Sequence, residues 1–402
     1  MEASALQHSP STATSSAWAR DDRARVEPLP TSPPYKWICF LTVESVTGKK
    51  FVASGFKIHL PELGHTAVVT SGHCTFVDGA YAARITVQFP GQMAVEVGPN
   101  DLYASPEYIN SSSVSHDYGL ILLPGPGDCE DGFGWSAILN DEELDSRLVM
   151  NCGFPADKPQ GSMWVTGGKI TSYTSRVLYM HHLTSGGLNG SPVYTWHDGF
   201  WTVLGVRSCA SCPYTIPRFT IEMISRFLER TDGLKPKTLR SVAFPDVYVR
   251  CDGRAVTQWL GPGSGIVNCR YKPAMGFERF YIYPVEINPS RADECAYKVV
   301  IESAKWKNVY IRLGSKGMKH FDSEGGGEVN CQFNPGAWEV FVLQKESNGG
   351  YSFRSDHFTQ CYIRLDGREV HSEKKGGNGT VNCQYYNTGI PPKEWETFYI
   401  EL

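Results

Sequence analysis

The stretch VTSGHCTF (residues 69–76) places a histidine directly after an apolar run, and the prediction of the fold starts from this pattern. Similar short apolar runs, separated by Gly, Asn and Pro, continue from Tyr35 to about Gly233. Examples are WICFLTV, FVASGFKI, RITVQF, GLILL, RLVMNCGF and WTVLGV. Many short strands with turn residues between them are typical of a β-barrel or β-sandwich, so this region is predicted to be all-β. The segment PRFTIEMISRFLER (217–230) has a helical apolar pattern and is predicted to end the region as an amphipathic helix.

Two further motifs follow this histidine, His73, along the chain. HDYGLILL (116–123) places Asp117 at the start of a predicted strand, and TSGGLNGSPVY (184–194) contains Asn189 among glycines. The order His, Asp and glycine-rich loop is that of a chymotrypsin-type catalytic triad. In that chemistry the histidine accepts the proton of a nucleophile, the aspartate orients the imidazole, and glycines let backbone N–H groups face an oxyanion. In that order, His73 stands at the position of the base, Asp117 at that of its orienting carboxylate and residue 189 at that of the nucleophile.

Residues 35 to about 230 resemble the bacterial glutamyl endopeptidases within the chymotrypsin-like serine proteases. The resemblance lies in VESVTGKKFVASGF, TSGHC, HDYGLILL, CGFPADKPQGSMWVTGGKI and LTSGGLNGSPVY followed by VLGVRS. It implies a trypsin-like double β-barrel with the active site between the barrels, and cleavage after acidic residues. It also implies that Gly187 and the N–H of residue 189 form the oxyanion hole, and that Thr184 contacts the acidic side chain of the substrate. The family's pocket histidine falls on Arg207, which either pairs with that carboxylate or lies on the surface.

The nucleophile position departs from the family pattern Gly-Asn-Ser-Gly-Ser-Pro, because this chain has Asn189 in place of the first serine. An amide has no proton whose removal gives a usable nucleophile at neutral pH. Ser191 lies two residues on, about 6.6–7 Å along an extended chain, whereas a base must lie about 3 Å from the proton that it accepts. Ser191 is therefore predicted to be structural, and Ser185 is no better placed. The site is predicted to be a disabled catalytic centre whose cleft still holds a peptide.

The last part of the chain contains a threefold internal repeat. The motifs VYVR (247–250), VYIR (309–312) and CYIR (361–364) each precede VNC at the same spacing, and FERFYI (277–282), WEVFVL (338–343) and WETFYI (395–400) close the units. Three units of four short strands each predict a β-trefoil, in which repetition closes the sheet. They resemble the fascin-like or ricin-B-like trefoils, although the ricin-type Gln-x-Trp signature is absent. The longer first unit places its extra residues around NPSRADECAY (288–297).

Several residues recur once per unit. We predict that the asparagines of VNC satisfy buried backbone groups and that its cysteines are small core residues, these being Asn268, Asn330, Asn382, Cys269, Cys331 and Cys383. DGR occurs at 252–254 and at 366–368. It predicts hairpin turns in which the glycine adopts a positive φ.

The predicted organisation is a disordered Ser/Thr/Ala-rich leader (1–34), a protease-like domain (35–233), a linker (234–243) and a trefoil (244–402). The formal net charge of −4 indicates no nucleic-acid partner. No segment reaches the roughly 18 apolar residues that a membrane span requires. The start of the sequence lacks the apolar core of a secretory signal, which predicts a cytoplasmic location, although unconventional export would leave the same sequence.

The 12 cysteines are predicted to be reduced thiols in that compartment. Cys74 has Ile58 where the bridging cysteine of chymotrypsin-type barrels would stand, so it is predicted to be a free, buried thiol. Cys209 and Cys212 form one CASC pair, and no second pair lies at ligand spacing. We therefore predict no metal site and no cofactor.

Three hypotheses about function follow. The first is a two-domain binding protein, in which a pseudoprotease cleft holds an acidic peptide or protein segment and the trefoil binds a glycan or a protein. The second is an active serine endopeptidase that cleaves after acidic residues and is targeted by its trefoil. The third is a lectin or actin-binding protein in which the protease-like half is a scaffold. Turnover of an acidic peptide distinguishes the first hypothesis from the second.

Overall fold

A computed structural model describes residues 21–28, 31–125, 131–139, 141–180, 187–208, 215–231, 233–272, 276–288, 296–373 and 376–402. Strands dominate these ranges, which confirms the prediction of an all-β protein. Within the same ranges, no helix has the length and apolar character needed to cross a membrane.

The first sheet carries the histidine and aspartate motifs. Its region contains β1 (Ala24–Arg25), β2 (Ile38–Glu44), β3 (Lys50–Lys57), β4 (Ala67–Thr70), α1 (Gly72–Thr75), β5 (Phe76–Val77), β6 (Ala80–Tyr81), β7 (Arg84–Gln88), β8 (Val95–Val97), β9 (Leu102–Ala104), α2 (Pro106–Ser111) and β10 (Gly119–Leu122). Seven of these strands pair in the order β8-β7-β2-β3-β4-β10-β9. Every pairing is antiparallel.

This sheet must curl on itself. In a flat sheet the edge strands β8 and β9 would lie six strand spacings apart, which is about 29 Å. The connection between them, residues 98–101, spans at most about 18 Å. The curled interior is filled by apolar side chains such as Leu41, Val68 and Ile121, each 0% exposed.

The second sheet closes into a barrel. Its region contains β11 (Gly134–Ser136), α3 (Asp141–Leu144), β12 (Leu148–Gly153), β13 (Trp164–Tyr173), β14 (Val177–Met180), β15 (Pro192–His197), β16 (Phe200–Val206), β17 (Thr215–Pro217) and α4 (Ile221–Arg230). Strand pairs run β12-β13-β14-β17 and β12-β15-β16, and a bridge from Gly205 to Arg218 joins the two ends. Thr220 caps α4 by accepting from the Met223 N–H. The predicted amphipathic helix is confirmed, with Ile224 and Leu228 buried.

The C-terminal half consists of three structurally equivalent units. Unit 1 contains β18 (Thr238–Ser241), β19 (Val247–Asp252), β20 (Gly265–Tyr271) and β21 (Phe280–Ile287); unit 2 contains β22 (Ala296–Ser303), β23 (Val309–Gly314), β24 (Glu328–Phe333) and β25 (Phe341–Lys345); unit 3 contains β26 (Tyr351–Ser355), β27 (Cys361–Asp366), β28 (Gly379–Tyr385) and β29 (Thr397–Glu401). In each unit the second and third strands form a hairpin. The last strand of each unit pairs with the first strand of the next, and β29 returns to pair with β18. The chain end thus closes the ring on unit 1.

The repeated asparagines and cysteines lie where one unit meets another. Each asparagine donates to a loop carbonyl of a neighbouring unit: Asn268 to Gly376, Asn330 to Pro262 and Asn382 to Glu324, at 2.8, 2.9 and 3.0 Å. Cys269, Cys331 and Cys383 are buried free thiols. The prediction for the cysteines is confirmed. The asparagines do bond to backbone carbonyls, but these carbonyls belong to exposed residues and are not the buried groups that we predicted.

The glycines of the two DGR motifs have a different role from the predicted one. Neither Gly253 nor Gly367 has a positive φ. A Cβ on Gly253 would lie 2.9 Å from a methyl group of Val309, and one on Gly367 would lie 2.8 Å from the Phe244 ring. The positions therefore need glycine because a neighbouring unit approaches closely, not because the turn requires a left-handed residue.

The two halves share a strand pairing and a hydrophobic core. Strand β11 pairs with β21, and the Ser136 hydroxyl donates to Glu286 at 2.8 Å. Side chains of the C-terminal half join the core cluster of the N-terminal half, these being Tyr283, Val285, Ile287, Val300, Tyr310 and Val340. The segment 234–243, which we predicted to be a linker, contributes β18 to the sheet of the C-terminal half. Its polar, lysine- and proline-containing start is followed by TLRSVA, which is equally compatible with a strand at the start of a domain.

The predicted disordered leader is partly ordered. Residues 1–20 lie outside the described residues, but Ala24–Arg25 form β1 and pair with β13. Arg23 forms ion pairs with Asp21 at 2.9 Å and with Asp157 at 2.5 Å. The reason is that this charged segment differs in composition from the Ser/Thr-rich start and meets complementary charges on the loop before β13.

Candidate active site

The register of two strands brings His73 and Asp117 together. Strands β4 and β10 are antiparallel, with Thr70 opposite Gly119. His73 follows the end of β4 in the short helix α1, and Asp117 precedes the start of β10. Both residues therefore lie at the same edge of the first sheet.

Asp117 contacts both the imidazole and the backbone of His73. Its Oδ2 lies 2.7 Å from His73 Nδ1, and its Oδ1 accepts the backbone N–H of His73 at 2.8 Å. The Ser208 hydroxyl also donates to Asp117 Oδ2. Asp117 is buried, whereas the His73 side chain is 24% exposed, so the imidazole faces the cleft. This arrangement directs Nδ1 to the carboxylate and leaves Nε2 to act on a ligand.

The pKa of His73 is raised well above its ordinary value. Burial of the ring opposes the charged form, but the Cys74 sulfur and the Asp117 carboxylate favour it and outweigh burial. Because the pKa in the folded chain exceeds that of about 6.5 in the unfolded chain, the charged pair stabilises the fold fully below that pH. This stabilisation is lost as the pH rises through the raised pKa.

Asp117→Asn should lower the pKa of His73, because a neutral amide no longer stabilises the imidazolium. The measurement is an NMR titration of the His73 ring between pH 5 and pH 9 in both chains. Thermal unfolding of the variant at each pH serves as the control for folding. A ring titration that is the same in both chains would contradict the role of Asp117.

The glycine-rich loop lies against the same edge. Because Pro192 pairs with Val206, the residues before β15 and after β16 lie side by side. Gly190 N–H donates to Arg207 O at 2.7 Å, and the Ser71 hydroxyl donates to the same carbonyl at 2.7 Å. A Cβ on Gly190 would lie 2.0 Å from Thr70 Oγ1, so only glycine allows this contact. The loop is thus held beside the segment that leads into His73.

Gly187 adopts a conformation that favours glycine, with a φ of +86°. A Cβ there would lie 2.4 Å from Phe154 O, and the Gly187 carbonyl accepts the Ser54 hydroxyl at 2.7 Å. Within the described part of the chain, the N–H groups of Gly187 and Asn189 donate no hydrogen bond.

Asn189 and Ser191 both bond to neighbouring segments of the site. Asn189 is half-buried, and its carbonyl accepts Ser54 N–H at 2.9 Å. Ser191 is 0% exposed; its hydroxyl donates to Leu188 O at 2.6 Å and accepts from Asn151 at 2.8 Å. The structural role that we predicted for Ser191 is confirmed, whereas Ser185 lies outside the described residues.

Of the two predicted pocket residues, Arg207 and Thr184, only Arg207 lies among the described residues. Arg207 is 2% exposed, so the surface alternative is wrong. Burial of its guanidinium lowers its pKa to about 10. Its backbone also joins the loop, since Arg207 N–H donates to Ser191 O at 2.8 Å. Thr184, the other predicted pocket residue, lies outside the described residues, as do Cys209 and Cys212.

Three residues of the site were missed by the sequence analysis. Ser208 bonds to Asp117, Ser54 binds both the Gly187 carbonyl and the Phe154 N–H, and Asn151 holds Ser191. Ser54 and Ser208 lie within motifs that carried the resemblance, so their position was visible in the sequence. Their partners were not visible, because those partners lie on the other barrel.

No protein-family model matches the chain. A glutamyl endopeptidase of Bacillus licheniformis is 30% identical over 183 residues, which cover 43% of this chain and 53% of that protein. A protein of Bacillus subtilis named extracellular metalloprotease is 27% identical over 211 residues, which cover 50% of this chain and 65% of that protein. A solved structure of Glu endopeptidase in complex with MPD aligns with a TM-score of 0.41 and 21% identity, covering 52% of this chain and 95% of that chain.

The chain spans about half to two thirds of the length of these curated relatives. It is homologous to glutamyl endopeptidases, and so to chymotrypsin-like serine proteases, over about half of its own length. One relative is named as a metalloprotease; among the residues described for this chain, His, Cys, Asp and Glu side chains form no group of three that could hold a metal ion.

Proposed function

We propose that this chain is a two-domain binding protein, in which a pseudoprotease cleft holds an acidic peptide segment and a β-trefoil carries a second ligand. The observation that carries the proposal is Asn189, which stands at the nucleophile position of a site where His73 and Asp117 are paired at 2.7 Å. Loss of the nucleophile typically lowers turnover about a million-fold, whereas a cleft and oxyanion donors still bind a peptide. Binding without cleavage is the function that such a site supports.

The preference for an acidic segment is supported by Arg207. Arg207 stands where the family has its pocket histidine, and it carries a guanidinium, which can pair with a carboxylate in two hydrogen bonds. The homologous proteins of known name include glutamyl endopeptidases, which links the same region to acidic side chains. Backbone N–H groups at Gly187 and Asn189 would hold the peptide carbonyl.

The assignment of a β-trefoil is supported by the strand pairing of the C-terminal half. Each unit supplies four strands, and β29 pairs with β18 so that unit 3 meets unit 1. The aromatic pairs repeat the same closure: Phe277 packs on Trp306, Trp338 on Phe358, and Trp395 on Phe244. A closed threefold ring without long free edges is a rigid platform for a ligand.

A direct test uses the full chain and two matched peptides. A labelled peptide with a central glutamate should bind about 10- to 100-fold more tightly than the same peptide with glutamine, since a charged hydrogen bond contributes about 1.5–3 kcal/mol. Arg207→Met should remove this difference. Arg84→Met, which changes an exposed ion pair on the first sheet, is the control and should leave binding unchanged.

The same samples decide between binding and catalysis. We expect no cleavage of the glutamate peptide and no labelling by a serine-directed fluorophosphonate. Cleavage with labelling would favour the active endopeptidase instead. Equal affinity for the glutamate and glutamine peptides would contradict the acidic preference even if both peptides bind.

A further inference from the structure

Three sulfur atoms meet where the hairpin loop of unit 2 packs on unit 3. The Cys383 thiol donates to the Met318 thioether, and their sulfur atoms lie 3.5 Å apart. Because Cys361 pairs with Tyr385 across the β27–β28 hairpin, Cys361 and Cys383 lie on the same face of that hairpin. The thiols of Cys361 and Cys383 lie within hydrogen-bond range of each other. Cys383 therefore joins the other two residues into one sulfur cluster.

Comparison of the three units shows that this sulfur cluster is not a consequence of the fold. The cysteine of VNC recurs in every unit, but the positions of Cys361 and Met318 are occupied by valine in the other two. These valines are Val247 and Val309 at the position of Cys361, and Val256 and Val370 at the position of Met318. One junction between units therefore carries a thiol and a thioether where the equivalent junctions carry aliphatic side chains.

Glycines allow the loop of unit 2 to approach the cluster closely. A Cβ on Gly327 would lie 2.4 Å from Cys383 Sγ, and one on Gly326 would lie 2.9 Å from Met318 Sδ. Cys361 and Cys383 are buried, whereas Met318 is partly exposed. An ion from solvent can therefore reach the buried thiols past the Met318 side chain.

The donor set indicates which metal ion would fit. Thiolate and thioether ligands favour soft ions such as Cu(I) over Mg²⁺ or Ca²⁺, which prefer oxygen. Structural Zn²⁺ takes four ligands, and a thioether is not among its usual ones. Metal–sulfur bonds of about 2.3 Å would place the sulfur atoms of a three-coordinate site roughly 4 Å apart. The separation of 3.5 Å between Cys383 and Met318 is close to this spacing.

We propose that Met318, Cys361 and Cys383 bind one Cu(I) ion. On binding, the S–H bonds of the two cysteines break and their protons pass to water. The ion then bonds to two thiolates and one thioether, and its oxidation state does not change. Since one donor is a methionine, the set is not a group of three His, Cys, Asp or Glu side chains. The inference goes beyond the proposed function, because it involves neither the protease-like cleft nor an organic ligand of the C-terminal half.

The test titrates the full chain, labelled with carbon-13 at its methionine methyl groups, with Cu(I) supplied as its acetonitrile complex without oxygen. The chain has 8 methionines, and the Met318 resonance is the one that Met318→Val removes. We expect this resonance to shift with Cu(I) and to stay in place with Zn²⁺. Because the signal comes from Met318, Cu(I) bound by the CASC pair does not imitate it.

Two variants take their residues from the other units. Cys361→Val introduces the valine that units 1 and 2 carry, so it should fold and weaken binding of Cu(I) at Met318 at least about tenfold. The affinity is measured by competition with the chelator bathocuproine disulfonate. Cys251→Leu is the matched control, because it introduces the leucine of the other units and removes a thiol that lies beside Cys331. It should leave the titration of Met318 unchanged.

The inference is overturned if the Met318 resonance stays in place while the chain takes up Cu(I), or if Zn²⁺ shifts it and Cu(I) does not. It is also overturned if Cys361→Val binds Cu(I) at Met318 as tightly as the unmodified chain. Thermal unfolding without metal checks the folding of each variant. If Cys361→Val does not fold, Met318→Leu tests the same site at nearly constant side-chain volume. It should retain one Cu(I) ion fewer against the chelator, and an unchanged number would contradict the site.

Discussion

Asn189→Ser should give a chain that hydrolyses a glutamate-containing peptide about 10³- to 10⁶-fold faster than the unmodified chain, for which we expect no turnover. Two of the predicted catalytic residues lie together among the described residues. His73 is oriented by Asp117 at 2.7 Å, and the glycine loop that carries position 189 lies against the strand that leads into His73. A serine hydroxyl at this position gives the imidazole a proton to accept and the peptide carbonyl a nucleophile to meet.

The rate of this variant should depend on pH through His73. The imidazole must be neutral to accept a proton, and its pKa is raised by Cys74 and Asp117 against the effect of burial. The kcat/KM of Asn189→Ser should therefore increase as the pH rises through that raised pKa. Asn189→Ala is the matched control, since it removes the amide without adding a hydroxyl.

A second variant guards against an ambiguous result. If Asn189→Ser is active, His73→Ala in the same chain should return the rate to that of the unmodified protein. If Asn189→Ser folds with an unchanged Tm but neither cleaves the peptide nor reacts with a fluorophosphonate, the site lacks more than its nucleophile. That result would show that replacing residue 189 alone does not restore the site.

The candidate site could be predicted where its chemistry is local in sequence. His73 follows an apolar run and Asp117 precedes one, so each could be placed at a strand end, and the structure pairs those two strands antiparallel. The burial of Arg207 could not be predicted in this way. It depends on contact between the two barrels, to which residues far apart in the chain contribute.

In the C-terminal half too, some features could be predicted from the sequence and others could not. The repeat predicted four strands per unit and hydrogen bonds from the three asparagines to the backbone. This was possible because a motif that recurs in all three units makes the equivalent contact in each of them. Gly253 was misinterpreted because a turn and a close approach leave the same residue type in the sequence. Gln384 and Gln332 occupy equivalent positions in units 3 and 2. Only the structure distinguishes them: Gln332 donates to Leu260 O, whereas Gln384 lines a cavity and its Oε1 is buried without a partner among the described atoms.

The two halves of the chain depend on each other more strongly than the domain boundaries predicted from composition suggest. The polar stretch before β18 suggested two independent domains, yet β11 of one half pairs with β21 of the other. The six side chains that the C-terminal half adds to the shared core would each contribute about 1.5–3 kcal/mol on full burial. The sum is of order 10 kcal/mol, which is comparable with the entire stability of about 5–15 kcal/mol of a typical domain.

Residues 1–236 expressed alone should therefore unfold at least about 10 °C below the full chain, or aggregate, because the removed half exposes its share of that core. The measurement is calorimetry of the truncated and the full chain. The control keeps the interface and breaks only the backbone: a specific protease site is inserted between Leu234 and Pro236 and then cut. The cut halves should elute together and melt in one transition at nearly the temperature of the intact chain. If they separate after cutting and each melts at the temperature of the full chain, the halves are independent domains and the shared core adds little to either.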